Sequence, residues 1–265
     1  MYSRWQITAK YLSYFLRSSN GKGHGTHSPF IFHFIREVLN DNRHYPEYDI
    51  VENLRSRLLH DKTLLNVDDL GAGSVLNKKN QRAIGAIARN SAKPCKLGQL
   101  LFRMVKAYQP QTIIEFGTSL GITTCYLSLA KPGAQVITME GAGEVAAVAR
   151  ENFREAGIKN TRVEEGNFDS LLKNVLDPLS LAGFVFIDGN HRQEPTERYF
   201  LELLPKTNND SILVFDDIHW SREMEAAWAS IKAHPRVRCT IDLFFTGLVF
   251  FREEFREKQH FSIRF

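Results

Sequence analysis

Cysteine is scarce. The chain of 265 residues has three, Cys95, Cys125 and Cys239, odd in number and scattered, so a disulfide framework is not expected and a reducing compartment is. No Cys-x-x-Cys or clustered zinc spacing occurs. Nowhere do eighteen apolar residues run together, which argues against a membrane span. The N-terminus lacks both an uninterrupted apolar stretch and a small-residue cleavage site, so the expectation is a cytoplasmic protein without a membrane partner. A formal charge of +4 is too small to argue for nucleic acid by itself. There is no internal repeat and no low-complexity tract. What remains is a chain long enough for one large α/β domain with an appendage.

The stretch that organises this chain is Thr112-Ile113-Ile114-Glu115-Phe116-Gly117-Thr118-Ser119-Leu120-Gly121, followed by Ile122-Thr123-Thr124-Cys125-Tyr126-Leu127. A short apolar run ends at an acid, two glycines stand four apart, and a helical pattern follows. That is the pattern of a buried parallel strand feeding a helix through a tight turn. Gly117 permits positive φ and close approach of a ligand, while Gly121 permits close packing. Free backbone N–H groups at such a turn suit a carboxylate or phosphate, with Glu115 expected to face the same crevice.

Further strands follow at regular intervals. Ala134 to Met139 ends in Glu140, Thr161 to Glu165 ends in Gly166-Asn167, Phe184 to Ile187 ends in Asp188-Gly189-Asn190-His191, and Ile212 to Phe215 ends in Asp216-Asp217-Ile218-His219. Helical patterns separate them, from Leu120 to Ala130, Glu144 to Ala156, Asp169 to Leu176, Glu194 to Leu204 and Ser221 to Ala233. This alternation predicts right-handed crossovers and a doubly wound, mostly parallel Rossmann-like sheet. Polar groups then gather at the carboxyl ends of the strands, where open α/β sheets bind ligands. Val237 to Phe244, a Thr246-Gly247 turn and Leu248 to Phe251 read as a closing hairpin. The tail from Arg252 is charged, then apolar.

Ahead of this domain, residues 1–95 are expected to form a helical cap and lid, with 96–265 as the main domain. Trp5 to Arg17 places Ile7, Tyr11, Leu12, Tyr14 and Phe15 mostly on one side of a helix, expected to dock on the main domain or on a second copy in a homodimer. Only Lys10 and Arg17 decorate its polar side, thin for lipid binding. A loop carrying His24 and His27 leads into a helix that Ser28 can cap and Pro29 can start. Helical patterns continue over Phe30 to Leu39, Tyr48 to Leu59, Asn77 to Arg89 and Lys96 to Tyr108. Asp69-Leu70-Gly71-Ala72-Gly73 imitates a nucleotide-binding turn, but no strand-helix-strand-acid series follows it. Arg82, Arg89, Lys93 and Lys96 read as a solvated helix face in preference to a nucleic-acid patch.

Glu115-Phe116-Gly117-Thr118-Ser119-Leu120-Gly121 resembles motif I of class I S-adenosylmethionine-dependent methyltransferases, and Glu140 falls where that family places its ribose-binding acid. The resemblance runs from about Leu97 to Phe251. His27-Ser28-Pro29-Phe30 and Asp216-Asp217-Ile218-His219-Trp220 also resemble a little-characterised bacterial group of such enzymes. It implies a seven-stranded sheet with an antiparallel last strand and S-adenosylmethionine as cofactor. Gly117, Thr118, Ser119 and Gly121 would hold the amino-acid end together with Glu115, Glu140 the ribose, Asn167 and Phe168 the adenine, with Asp188 close by. The Asn/Asp-Pro-Pro-Tyr/Phe signature of many amine methylases is missing after the fourth strand, which favours O-methylation of a small hydroxylated molecule.

Asp188, Asp216 and Asp217 resemble the metal-binding pattern of catechol-type O-methyltransferases, although those have Asp-Asn where this chain has Asp-Asp. Three unpaired carboxylates at adjacent strand ends would repel, and Mg2+ completed by water would relieve them. His191 stands three residues past Asp188, where the similar enzymes carry a basic lysine, and is expected to take a hydroxyl proton. His219 is open between second base, metal ligand and structural partner of an aspartate. Other readings are a metal-dependent hydroxylase or other non-methylating enzyme on the same fold, and a binding protein without chemistry.

Overall fold

The computed structural model describes residues 1–19, 21, 28–67 and 81–265. In chain order the elements are α1 (Arg4–Arg17), α2 (Pro29–His33) running into a π-helical turn (Phe34–Leu39), α3 (Pro46–His60), β1 (Leu64–Asn66), β2 (Gln81–Ala83), α4 (Ile84–Ser91) and α5 (Cys95–Tyr108). The alternating part follows as β3 (Thr112–Phe116), α6 (Ile122–Ala130), β4 (Gln135–Glu140), α7 (Gly143–Glu155), β5 (Thr161–Glu165), α8 (Phe168–Leu176), β6 (Phe184–Ile187), α9 (Gln193–Leu203), β7 (Ile212–Asp216) and α10 (Arg222–Ala233). It closes with β8 (Cys239–Asp242), β9 (Thr246–Phe250) and β10 (Gln259–Ser262). The chain divides into two compact units, one of Asn42–Pro178 and one of Met1–Asp41 with Leu179–Phe265.

The main sheet has eight strands in the order β10-β8-β9-β7-β6-β3-β4-β5. Strands β3, β4 and β5 pair in parallel, as do β6 and β7. Strand β9 runs antiparallel to both β7 and β8, the inserted hairpin strand that the sequence predicts. The central strands are apolar on both faces: Ile113, Ile114 and Phe116 in β3, and all of β6, are buried. Each has room only for side chains that match the helices above and below it, the signature of a parallel sheet covered on both sides. The doubly wound expectation therefore holds.

Three features differ from the sequence reading. The sheet has eight strands, not seven, because the tail returns as β10 beside β8, in parallel. Its four residues bury and expose only by half measures, too weak a pattern to announce a strand. Of the helix expected over Asn77 to Arg89, residues Gln81–Ala83 instead pair with Leu64–Asn66, and the described helix starts at Ile84. There Gly85 N donates to the Asp61 carbonyl at 2.8 Å, and a Cβ on Gly85 would lie 2.7 Å from the Leu59 carbonyl oxygen. Third, the helix from Phe30 widens, as Asn40 N donates to the Ile35 carbonyl at 3.0 Å, a five-residue repeat. His24, His27 and residues 68–74 lie outside the described residues.

Candidate functional site

In the unit Asn42–Pro178 the turn after β3 is built as the sequence predicts, with Gly117 at φ 93° and Gly121 at φ 82°. Both values fall where only glycine is unstrained. Ser119 also takes positive φ, 48°. The close approach at Gly121 is made by α7: a Cβ there would sit 2.5 Å from Phe153 Cε1. Gly121 is thus small for a neighbouring helix, where the sequence suggested packing of its own helix on the strand.

Glu140 holds this turn in place. Its Oε2 accepts from the Ser119 amide at 2.8 Å and its Oε1 from the Ala142 amide at 2.9 Å. The Gly117 and Thr118 amides both donate to the Met139 carbonyl at 3.0 Å. The three amides expected to be free donors for a ligand carboxylate are therefore committed within the protein, because the tight turn folds back over the end of β4. A carboxylate oxygen can accept more than one hydrogen bond, so Glu140 has the chemistry to bind hydroxyls as well as amides.

Glu115 departs from expectation as well. Its side chain is wholly buried rather than open to the crevice. Oε2 accepts from Thr138 Oγ1 at 2.7 Å and from Thr124 Oγ1. Since Thr138 spends its proton on Glu115, it must accept from Thr118, whose Oγ1 lies 2.6 Å away. A relay of hydroxyls thus points from the turn to the acid. Oε1 has no partner. Burial pushes the Glu115 carboxyl up to about 7, opposed by the bonds from Thr124 and Thr138 and assisted by the charge of Glu140. An orphaned, buried acceptor is costly, and it invites a donor that the protein does not itself supply.

At the end of β5, Asn167 caps α8, its side chain accepting from the Asp169 amide at 2.9 Å. Phe168, half-buried, meets Phe116 edge to face with centroids 5.6 Å apart. This fixes one aromatic ring at the carboxyl end of the unit's parallel strands.

In the second unit, β6 and β7 deliver the acids. His191 Nε2 lies 3.6 Å from Asp188 Oδ1 and 3.8 Å from Asp217 Oδ2. All three are partly exposed, so the imidazole sits between two carboxylates with access to solvent. The backbone here is bent sharply, with Asn190 at φ 50° and Asp217 at φ 55°. The Asn190 side-chain Nδ2 donates to the hydroxyl of buried Tyr199 at 3.2 Å, which braces the loop. Asp216 does not join this group. It is buried and accepts from Thr246 Oγ1, its cross-strand partner on β9, at 3.3 Å. Strand β7 ends at Asp216, and Asp217 already takes positive φ, so the two neighbouring acids have different backbone settings and different partners. Among the described residues no three His, Cys, Asp or Glu side chains form a group able to hold a metal ion.

His219 is held on both ring nitrogens. Nδ1 lies 3.1 Å from Glu225 Oε1 and Nε2 lies 2.8 Å from Asp242 Oδ2. Burial opposes charge on this ring, but the bonds and charges of Asp242 and Glu225 outweigh it and raise the pKa above the ordinary value. Of the roles open in the sequence, structural partner of a carboxylate is the one this geometry matches. The same Glu225 accepts from Tyr2 Oη at 2.6 Å and pairs with Lys10 Nζ at 2.9 Å. His219 therefore belongs to a latch that fastens α1.

Sequence reasoning missed Thr118's role, Thr124, Thr138, Tyr199, Glu225 and Asp242. Thr138 had a usable signal, since it faces Glu115 in the β3–β4 register and stands two residues before Glu140, on the same face of its strand.

Residues 114–218 match the family model of a methyltransferase domain. Among curated proteins, the ribosomal RNA small subunit methyltransferase G of Stenotrophomonas maltophilia is 33% identical over 88 residues, 30% of this chain and 41% of that protein. A transmembrane O-methyltransferase homolog of Rattus norvegicus is 37% identical over 68 residues, 25% of this chain and 26% of that protein. The chain thus spans less than half the length of these curated relatives. Among solved structures, an S-adenosylhomocysteine-bound methyltransferase of Podospora anserina aligns over 95% of this chain and 98% of its own, with a TM-score of 0.58 and 12% identity. Residues 114–218 are thus similar to a methyltransferase domain, and the chain shares its fold with that solved methyltransferase.

Proposed function

We propose that this chain is an S-adenosylmethionine-dependent methyltransferase acting on the hydroxyl group of a small acceptor. The observation that carries the reading is the glycine turn between β3 and α6, clamped through the Ser119 amide onto Glu140 at the end of the neighbouring strand. Two further facts support it: the family match over 114–218, and the 37% identity to an O-methyltransferase homolog over 68 residues.

The residues present fit the cofactor. Glu140 is fixed by two amides, and its carboxylate is the kind of acceptor that ribose hydroxyls require. Phe168 offers a ring edge-on to Phe116 for a base to lie against. Glu115 Oε1 is the buried acceptor in want of a donor. When bound, S-adenosylmethionine supplies an electrophilic methyl group on a sulfonium. The protein has to align the acceptor and remove its proton, and alignment of this kind is worth about 7 to 11 kcal/mol of barrier.

His191 is the proton acceptor in this reading. Asp188 and Asp217, within 3.8 Å of its ring, favour the imidazolium once the proton has moved. The donor set does not fit the magnesium centre suggested by the sequence, since Asp216 is turned to Thr246.

Titration calorimetry with S-adenosylmethionine is the direct test, with release of S-adenosylhomocysteine on adding catechol-like acceptors as the second. Absence of binding at submillimolar cofactor would overturn the assignment.

A further inference from the structure

Helix α1 has two apolar faces, and the fold uses one. Tyr11 packs edge to face on Phe244 at 5.0 Å, Tyr14 lies 5.3 Å from the same ring, and Lys10 pairs with Glu225. The opposite face is left bare. Trp5 is 85% exposed, Leu12 57% and Leu16 78%. Their spacing places all three on one stripe of the helix. This is not a scattered set of surface residues, each of which would need no explanation.

Charge decides what such a stripe can meet. Helix α1 contains Arg4, Lys10 and Arg17 and no acidic residue. Arg4 and Arg17 are exposed and flank the stripe at its two ends. The fold adds a further cation that the sequence of α1 does not contain. Arg264 donates from Nε to the Phe15 carbonyl at 2.7 Å, and its guanidinium stands 4.3 Å from the Phe15 ring. Glu225, an acid that touches the helix, is already paired with Lys10, Tyr2 and His219. A second copy of the chain fits poorly on this face. Antiparallel pairing of two α1 helices would bring Arg4 of one copy to Arg17 of the other, and parallel pairing would set each cation beside itself.

We propose that the Trp5–Leu12–Leu16 face of α1 lies on an anionic lipid surface, with Arg4, Arg17 and Arg264 at the headgroups. An exposed tryptophan with leucines on one face, cations at the edge and no acids is the composition that seats a helix in the plane of a bilayer interface. Anchoring of the other face means the helix need not leave the protein to do so. Membrane contact would then hold the enzyme at a surface without any crossing segment, and no helix among the described residues is long and apolar enough to cross.

The test is flotation of the full chain with phosphatidylcholine vesicles, with and without phosphatidylglycerol. The expected result is binding to the anionic vesicles that weakens with added salt. Trp5→Glu combined with Leu16→Glu should reduce binding at least tenfold, with an unchanged circular dichroism spectrum, because both residues are solvent-exposed. Arg4→Glu with Arg17→Glu should abolish the preference for anionic over neutral lipid. Failure to float with either vesicle would overturn the proposal, as would equal binding by the Trp5→Glu/Leu16→Glu variant. A wild-type dimer in sedimentation that this variant dissociates, without vesicle binding, would assign the face to a second copy. Cofactor binding is measured separately and does not enter these readouts.

Discussion

The backbone amide of Ser119 and the carboxylate of Glu140 meet at 2.8 Å across 21 residues of chain, joining the glycine turn to the end of the next strand. One acid therefore shapes the turn at which the cofactor is proposed to bind. Glu140→Ala is expected to lower S-adenosylmethionine affinity at least tenfold. It should also cost about 1–3 kcal/mol of stability through the unpaired Ser119 and Ala142 amides. Calorimetric titration and urea unfolding read the two effects separately.

Burial holds the Glu115 carboxyl near 7 against its ordinary 4.5. An acid raised in the folded state keeps its full contribution below pH 4.5 and loses it as pH rises toward 7, since the unfolded chain ionises first. Stability should therefore fall across that window by about 3 kcal/mol. Glu115→Gln should flatten the dependence while keeping an acceptor for Thr124 and Thr138. Unfolding midpoints measured from pH 4 to 8 test it, and parallel curves for the two proteins would contradict it.

Gly121→Ala should destabilise the protein by about 2 kcal/mol or more, from positive φ and from the clash with Phe153. Phe153→Ala removes the clash but not the backbone strain. Denaturant unfolding of both single variants and the double variant should give non-additive losses, with part of the Gly121→Ala cost absent when Phe153 is shortened.

His191→Ala is expected to lower turnover by about 10²- to 10⁴-fold, the range for loss of a positioned base. Cofactor affinity should change little. A rate unaffected by this substitution, with methyl transfer intact, would remove His191 from the reaction.

His219 bridges Glu225 and Asp242, and its pKa is raised from 6.5. A base raised in the folded state contributes fully below pH 6.5, and the contribution is lost as pH rises through its folded value. Trypsin cleavage at Arg4, Lys10 and Arg17 should quicken over that rise as the hold on α1 weakens. In His219→Gln, cleavage should be fast and insensitive to pH.

The alternating half of the chain was legible because each strand is a short apolar run closed by an acid, glycine or asparagine. Strands β5 and β6 fall where the sequence reading placed them, and β3, β4 and β7 within a residue or two. The hairpin of β8 and β9 was legible from its two apolar runs, although the chain turns at residues 243–245 and Thr246-Gly247 already belongs to β9. What did not show was orientation. Glu115 and Glu140 both end strands, yet one is buried under the turn and the other supports it from outside. Asp216 and Asp217 look equivalent in sequence, but the first ends its strand against the Thr246 hydroxyl and the second takes positive φ. His219 could be read three ways because its partners, Glu225 and Asp242, come from a helix and a strand further along. Strand β10 was not legible at all, since its few residues gain strand character only from the edge of β8.

The fastening of α1 has a consequence for the order of events during synthesis. Ser19 bridges to Ile263, Arg264 bonds the Phe15 carbonyl, and Tyr14 bonds the Ile263 carbonyl across 249 residues. Helix α1 is translated well before its docking partners, since Tyr14 and Ile263 stand 249 residues apart. Until those partners are made both of its greasy sides lack their contacts, and closing so long a loop is the kind of non-local step that slows folding.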